Sequence, residues 1–167
     1  MSGMPIITIT EKKDENFLRK KTELFDFNAH SKKEIQELVT NMRKIMIAAN
    51  GIGLAANQIG LKFRIFVARV PEANGKMKFY AIFNPKIERF SKDTKILSEG
   101  CLSVPGILGE VPRAGKVVLS GFDKFGKPIK IKAWGLLAHI FQHETDHLGG
   151  MLFIDKAKML TSVDSSK

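Results

Sequence analysis

Residues 31–49 carry apolar side chains at the spacing of an α-helix. Ser31 and Glu34 form a capping box, in which each side chain accepts a hydrogen bond from a free amide at the start of a helix. The apolar positions that follow at helical spacing are Ile35, Leu38, Val39, Met42, Ile45 and Met46. The pattern predicts a helix that runs to about Ala49 and ends at Asn50-Gly51, a typical left-handed terminus. We interpret its apolar stripe as part of the core.

The middle of the chain has the alternating pattern of short β-strands. Phe63, Ile65 and Val67 alternate with other residues, and Asn74-Gly75 then predicts a turn. The other predicted strands are 79–83, which ends near Asn84-Pro85, and 117–119 and 129–131, which flank a turn at 123–126. Short strands joined by hairpins favour antiparallel pairing over a parallel sheet with crossover helices.

A second helix is predicted towards the C-terminus. It begins near Trp134 or Gly135 and ends at Gly149-Gly150, and a short apolar segment, 151–154, follows it. The polar tail from about residue 157 is expected to be frayed. Together the elements predict an α+β fold in one domain, 1–167. In this fold, short antiparallel strands pack around the C-terminal helix, and one further helix lies in the N-terminal part.

The composition is that of a globular protein with an unusual charge. The chain has 167 residues, of which 44% are hydrophobic and 26% charged, and its formal net charge is +10. A basic surface favours polyanions such as RNA, or anionic membranes. A Lys-rich face that only keeps the protein in solution explains the charge equally well. We expect no DNA partner and no membrane association.

The cysteine count and the first residues bear on the cellular location. A single cysteine, Cys101, cannot form an internal disulfide, which fits a reducing compartment. Residues 1–21 lack the apolar stretch of a secretory signal, and no run of about 18 apolar residues occurs. These features predict a cytoplasmic protein.

The strongest chemical signal lies in segment 143–147. His143 and His147 are four residues apart, so their side chains lie on one face of a helix. Such a pair can bind a metal ion, and Glu144 between them can transfer a proton beside it. Cys101 could supply a third ligand and leave one position open for water, which is typical of a catalytic site. Asp146 either orients a ligand or faces water.

Two further segments contain residues suited to the same chemistry. Gly51 and Gly53 allow the backbone to approach a ligand closely, and Gln58 carries a neutral amide that can donate to an oxygen. Small residues after a helix more often serve packing, so this segment alone is a weak signal. In the same way, Cys101 could be a buried inert thiol and Glu99 a surface charge.

Taken together and in this order, three segments resemble the motifs of the peptide deformylases. The motif segments are 51–58, 99–103 and 142–147, and the flanking segments that also agree are 104–106, 111–114 and 148–155. The resemblance covers roughly residues 5 to 157, which is nearly the whole chain.

The resemblance implies a metal-dependent hydrolase. One divalent metal ion would have three protein ligands, Cys101, His143 and His147. Family members typically use Fe(II), and Ni, Co or Zn are possible substitutes. Glu144 would take a proton from the attacking water and deliver one to the leaving amine. The side-chain amide of Gln58 and the backbone N–H of Leu102 would stabilise the tetrahedral oxyanion.

The implied substrate is the N-formylmethionyl end of a newly made polypeptide, and the products are formate and a free amino terminus. The implied substrate-binding residues are Ile52, Gly53, Gly100, Leu136, His139 and Ile140. Gly53 can pair with an extended peptide, and the apolar side chains can form a slot for methionine. His139 either makes this pocket more polar or swings outward. Weak association with ribosomal RNA and a bacterial cytoplasmic location are further expectations.

Three other interpretations share part of this pattern. A zinc peptidase also uses two histidines four apart, but its third ligand is usually a later His or Glu, and only Asp155 and Asp164 follow here. A catalytically silent homologue could act as a binding module. A basic RNA-binding domain with a structural metal would need a fourth protein ligand.

Overall fold

The computed structural model describes residues 4–163, and its fold is α+β, as predicted. The strands are β1 Gly53–Ala55, β2 Ile65–Pro71, β3 Met77–Phe90, β4 Thr94–Cys101, β5 Val104–Ala114, β6 Lys116–Phe122, β7 Pro128–Trp134 and β8 Met159–Ser162. They form a five-stranded sheet in the order β1-β2-β3-β6-β7 and a three-stranded sheet in the order β4-β5-β8. Neighbouring strands in both sheets are antiparallel.

Three α-helices accompany the sheets: α1 Lys12–Leu18, α2 Lys32–Ala48 and α3 Gly135–Leu148. The capping box of α2 is confirmed, since the Ser31 side chain accepts from the Glu34 amide and Glu34 Oε2 accepts from the Ser31 amide at 2.6 Å. The prediction of a single N-terminal helix is wrong, because α1 precedes α2. Helix α1 has seven residues and buries only Leu18, so it carries almost no apolar periodicity that a sequence pattern could reveal.

Strand β2 contributes to two parts of the hydrophobic core, because successive side chains of a strand point to opposite faces. Its Ile65 and Val67 lie in the cluster that contains the buried side of α2. Its Phe66 and Ala68 lie in the cluster that contains Phe141 and the rest of the buried side of α3. Helices α2 and α3 are thereby both anchored to the five-stranded sheet.

Strand β3 is longer than the predicted segment 79–83. It continues through Asn84-Pro85, where the pairing with β6 shifts register and Asn84 has a φ of 49°. The Asn84 side chain accepts from the Phe25 amide at 2.8 Å and donates to the Phe25 carbonyl at 3.0 Å. Pro85 is tolerated at this irregularity because a bulged position needs no ladder hydrogen bond from it.

The prediction of a frayed tail from about residue 157 is wrong for Met159–Ser162. These residues form β8, which pairs with β5 from Ile107 to Glu110. The strand is exposed, so its backbone pairing rather than burial orders it, and Val163 then donates its amide to the Gly106 carbonyl at 2.8 Å. The last four residues of the predicted tail lie outside the described residues. Within residues 4–163, no helix has the length and hydropathy needed to cross a lipid bilayer.

Candidate metal centre

The end of strand β4 and the C-terminal half of α3 bring three potential metal ligands together. The Cys101 sulfur lies 3.2 Å from His147 Nε2, and His147 Nε2 lies 3.2 Å from His143 Nε2. All three donor atoms fall within 4.8 Å of one another. One thiolate and two imidazoles form a borderline-soft donor set that fits a single divalent ion such as iron, nickel, cobalt or zinc. Three protein ligands leave room for water or substrate.

Glu99 orients the first histidine. Its side chain is only 1% exposed, and its Oε2 lies 2.7 Å from His143 Nδ1. Arg113 donates to both oxygens of Glu99, from Nε at 2.7 Å and from Nη2 at 3.0 Å. This arrangement makes Nδ1 of His143 the protonated nitrogen and leaves Nε2 free to bind a metal ion.

Burial and hydrogen bonding act in opposite directions on this pair. Burial raises the pKa of Glu99, but hydrogen bonds from His139, His143 and Arg113 outweigh it and hold that pKa well below its usual range. Burial lowers the pKa of His143, whereas hydrogen bonds to Cys101 and Glu99 raise it, and the net direction is upward. A metal ion and a proton therefore compete for His143 Nε2.

The backbone of the second histidine, His147, is hydrogen-bonded to Asn57. His147 is buried, and its backbone carbonyl accepts a hydrogen bond of 2.7 Å from the Asn57 side chain. Burial lowers the pKa of His147 well below its ordinary value, which favours the neutral ring that binds a metal ion. Asn57 thus has a structural role that its place in the glycine-rich segment did not reveal.

Glu144 lies against the backbone of Gly53. A Cβ atom on Gly53 would stand 2.8 Å from Glu144 Cδ, so only glycine leaves space for this carboxyl group. Glu144 is buried, and this burial raises its pKa to about 7. A carboxyl group with that pKa can both accept and donate a proton near neutral pH.

The amide of Gln58 is fixed in one orientation. Gln58 Oε1 accepts from the Ala55 amide at 2.9 Å, so the nitrogen end of the side chain faces the opposite way. Gln58 Nε2 then lies 3.1 Å from Ser103 Oγ and 3.5 Å from Cys101 Sγ. The NH₂ group of this neutral, buried amide therefore faces Cys101, one of the potential metal ligands.

Comparison with known proteins identifies the family. The sequence profile described as polypeptide deformylase matches residues 5–163. The chain belongs to the polypeptide deformylase family. It is 48% identical over 125 residues to a peptide deformylase of Halothermothrix orenii, a match that covers 74% of this chain and 78% of that relative. It is 39% identical over 158 residues to that of Thermodesulfovibrio yellowstonii, covering 94% of this chain and 92% of the relative.

Solved structures agree with this assignment. The fold matches a probable peptide deformylase from Synechococcus phage S-SSM7 with a TM-score of 0.83 and 39% identity, over 92% of this chain and 99% of that one. It matches the Met-Ala-Ser-bound class I type b peptide deformylase from Acinetobacter baumannii with a TM-score of 0.84 and 30% identity, over 93% and 99% of the two chains. The family defines the enzyme class as a deformylase, so the zinc-peptidase and structural-metal interpretations lose their support.

In this deformylase, a cavity of about 700 Å³ opens beside the metal centre. The site residues predicted from the sequence that line it are Ile52, Gly53, Gln58, Gly100, Cys101, Leu102, Leu136, His139, Ile140, His143 and Glu144. His147 lies behind this surface. Further apolar lining comes from Leu97, Ile107, Leu108 and Val163, which the sequence analysis did not single out.

The structure answers the question about His139. Its side chain is turned inward, and its Nε2 lies 2.9 Å from Glu99 Oε1. Asp146 does not simply face water, since it accepts from Arg113 Nη1 at 2.5 Å and from Lys156 Nζ at 3.0 Å. Arg113, which sequence reasoning mentioned only as part of a flanking segment, therefore connects Glu99 to α3. A lone arginine near the end of a mostly apolar strand segment is the signal that could have identified it.

Proposed function

We propose that the protein removes the N-formyl group from the initiator methionine of newly made polypeptides and releases formate. The observation that supports this most is the convergence of an acid–base carboxyl group, an amide donor and three potential metal ligands beside a single cavity. We propose one divalent ion as cofactor, Fe(II) in the cell, with Ni, Co or Zn as working substitutes.

The ion would be held by Cys101, His143 and His147. When bound, it would lower the pKa of a water molecule in the site and polarise the formyl carbonyl. Glu144 would take the proton of the attacking water and later deliver a proton to the leaving amine. Its pKa of about 7 suits both directions of transfer near neutral pH.

The tetrahedral oxyanion needs hydrogen-bond donors that are already oriented. Gln58 fits this role, because the Ala55 amide holds its oxygen and leaves Nε2 directed at the reaction centre. Leu102, which follows the ligand Cys101 and lines the cavity, would add its backbone N–H. Loss of one such donor costs about 10²–10³ in rate in comparable sites.

The cavity walls suit a methionine side chain beside an extended backbone. Ile52 and Leu136 expose 42% and 47% of their surfaces, and buried Ile140 lines the same cavity. Gly53 and Gly100 would leave space for the peptide backbone. Nε2 of His139 is hydrogen-bonded to Glu99. His139 would therefore offer the pocket the surface of its imidazole ring and not a free N–H donor.

The proposed partners are N-formylmethionyl nascent peptides in a bacterial cytoplasm. The net charge of +10 supports weak association with ribosomal RNA through phosphate contacts. Absence of co-sedimentation with ribosomes at low salt would contradict the association without touching the proposed reaction.

The first experiment measures formate release from formyl-Met-Ala-Ser by protein purified anaerobically with Fe(II). We expect turnover that is lost in air and restored by nickel, because exposure to air oxidises iron but not nickel. Glu144→Gln is the matched control: it should keep the metal ion and the fold while losing turnover. A folded, metal-loaded parent without turnover would support a silent homologue instead.

A further inference from the structure

A basic surface with an exposed tryptophan lies on the five-stranded sheet, on the face opposite to α3. Lys130, Lys132 and Trp134 occupy alternate positions of β7 and therefore share one face. The strand register places Lys116 opposite Trp134. The same register extends the face across β6 to β3, where Arg89 pairs with Val118 and Lys86 with Ser120. We call these six residues, Lys86, Arg89, Lys116, Lys130, Lys132 and Trp134, the β7 face.

The opposite side of the same strands is occupied by the core. Val117, Leu119 and Ala133 alternate with the residues of the β7 face and pack in the cluster that contains the buried side of α3. The basic side chains of the β7 face are all exposed, so they make no contribution to that core. These side chains are therefore available to bind a partner.

The charge of the β7 face is strongly positive. It carries five cationic side chains, and two carboxylates lie near it: Glu88 beside Lys86, and Asp93 against Gly115, the residue before Lys116. Glu88 is itself engaged, by the Ser120 hydroxyl at 2.7 Å and by Lys86 Nζ at 3.6 Å. The Ser120 hydrogen bond, followed by Lys86 and Lys130, lowers its pKa. The face therefore keeps a surplus of cations that suits a polyanion.

An exposed tryptophan distinguishes this surface from an ordinary lysine-rich face. Trp134, the only tryptophan of the chain, is 70% exposed. It lines a recess of about 590 Å³ together with Arg89, Lys116 and Lys132. Large aromatic side chains are usually buried, so an exposed tryptophan beside three cations indicates a ligand with flat rings and negative charge.

We propose that the β7 face binds single-stranded RNA. Phosphates would contact the cations, and a base would stack on Trp134 within the recess. The concave shape argues against a lipid bilayer, because membrane binding needs aromatic side chains that protrude into the lipid. The choice of RNA over DNA rests on the proposed function, since nascent polypeptides emerge from an RNA-rich particle.

The position of the β7 face relative to the cavity gives this binding a purpose. Trp134 directly precedes α3, and Leu136, two residues later, lines the cavity beside the metal centre. RNA bound at Trp134 would therefore lie at the end of α3 that contributes Leu136 to the cavity. Such binding would hold the cavity close to a nascent chain.

In the test, the metal-loaded protein is titrated with an oligouridylate of twelve nucleotides at low salt. The fluorescence of the single tryptophan reports stacking directly, and the anisotropy of a labelled oligomer reports binding. We expect quenching, and an affinity that falls with salt at a log–log slope of about 0.7 per phosphate contact. Trp134→Ala should weaken binding about 5- to 100-fold. Lys130→Glu combined with Lys132→Glu should abolish most binding and reduce the salt slope.

The matched control is Lys12→Glu combined with Lys13→Glu, the same charge change on α1, where it should have a smaller effect. All variants should release formate from formyl-Met-Ala-Ser at the parent rate, since none lies at the metal centre. Unquenched tryptophan, equal losses in both double variants, or tighter binding of the deoxy oligomer would overturn the proposal. So would binding to vesicles of phosphatidylserine and phosphatidylcholine without binding to RNA. Because the titration needs no turnover, its failure is separate from failure of the deformylase reaction.

Discussion

Replacement of Glu99 by glutamine should separate the stability of the fold from the assembly of the metal centre. Each oxygen of Glu99 accepts two hydrogen bonds, from Arg113 and His139 on one side and from Arg113 and His143 on the other. In Glu99→Gln, the side-chain amide keeps one oxygen but replaces the other with an NH₂ group. This NH₂ group would face the N–H donors of Arg113 and of one histidine. Two charge-assisted hydrogen bonds are lost, and each contributes about 1.5–3 kcal/mol.

We therefore expect Glu99→Gln to lower the free energy of unfolding by about 3–5 kcal/mol, since the charge of Arg113 also loses its main partner. The effect on the metal centre has a different cause. Without the carboxylate, His143 is no longer held with its proton on Nδ1, and affinity for the metal ion should fall about 10- to 100-fold. Urea unfolding measures the first effect, and competition with a chromogenic chelator measures the second.

Asp146→Asn is the matched control, because Asp146 also contacts Arg113 but does not contact His143. It should destabilise the fold and leave the metal affinity close to that of the parent. If both variants lost metal affinity equally, or if Glu99→Gln kept the parent affinity, the assignment of Glu99 as the residue that orients His143 would be refuted.

Three further predictions follow from single contacts. Gly53→Ala should displace Glu144 and lower kcat by about 10²-fold without loss of metal, which formate assays and metal titration check. The control is Gly51→Ala, whose Cβ would meet the mobile end of the Leu102 side chain at 3.2 Å. An equal loss of kcat in this control would contradict the prediction. The pKa of Glu99 is depressed below 4.5, so its contribution to stability is present above that pH and lost as the pH falls; acid titration of unfolding should show this loss in the parent and not in Glu99→Gln, and parallel curves would disprove it. Ser31→Ala should cost about 1 kcal/mol of stability by removing the cap of α2, with unchanged turnover; an unchanged urea midpoint would count against the capping box.

The sequence predicted the elements whose apolar residues face a continuous core. Helices α2 and α3 bury one side each, and their periodic residues were recognised with boundaries within one or two positions. Strands β4 and β5 were not predicted. Glu99 is the only buried residue of β4, and the apolar Ile96 and Leu97 are exposed. The strand therefore lacks the alternation of apolar and polar residues that would reveal it in the sequence. Part of its apolar surface lines the cavity rather than the core.

The cluster of potential metal ligands and the neighbouring Glu144 were predictable because these residues lie close together in sequence or in recognisable motifs. Their supporting contacts were not, because they depend on tertiary neighbours. Glu99 reads as a surface charge until Arg113 is placed beside it, and Arg113 lies 14 residues away on the partner strand. Asn57 contacts a carbonyl 90 residues away. No local pattern encodes such distances, since they arise only when the sheets and α3 pack together.

Strand β8 places Val163 at the wall of the cavity. Val163, the residue after β8, lines the same space as the metal centre and is tied to Gly106 through its backbone. A purification tag attached directly after Val163 would therefore begin at the wall of the substrate cavity, where it would act as a tethered competitor of the peptide.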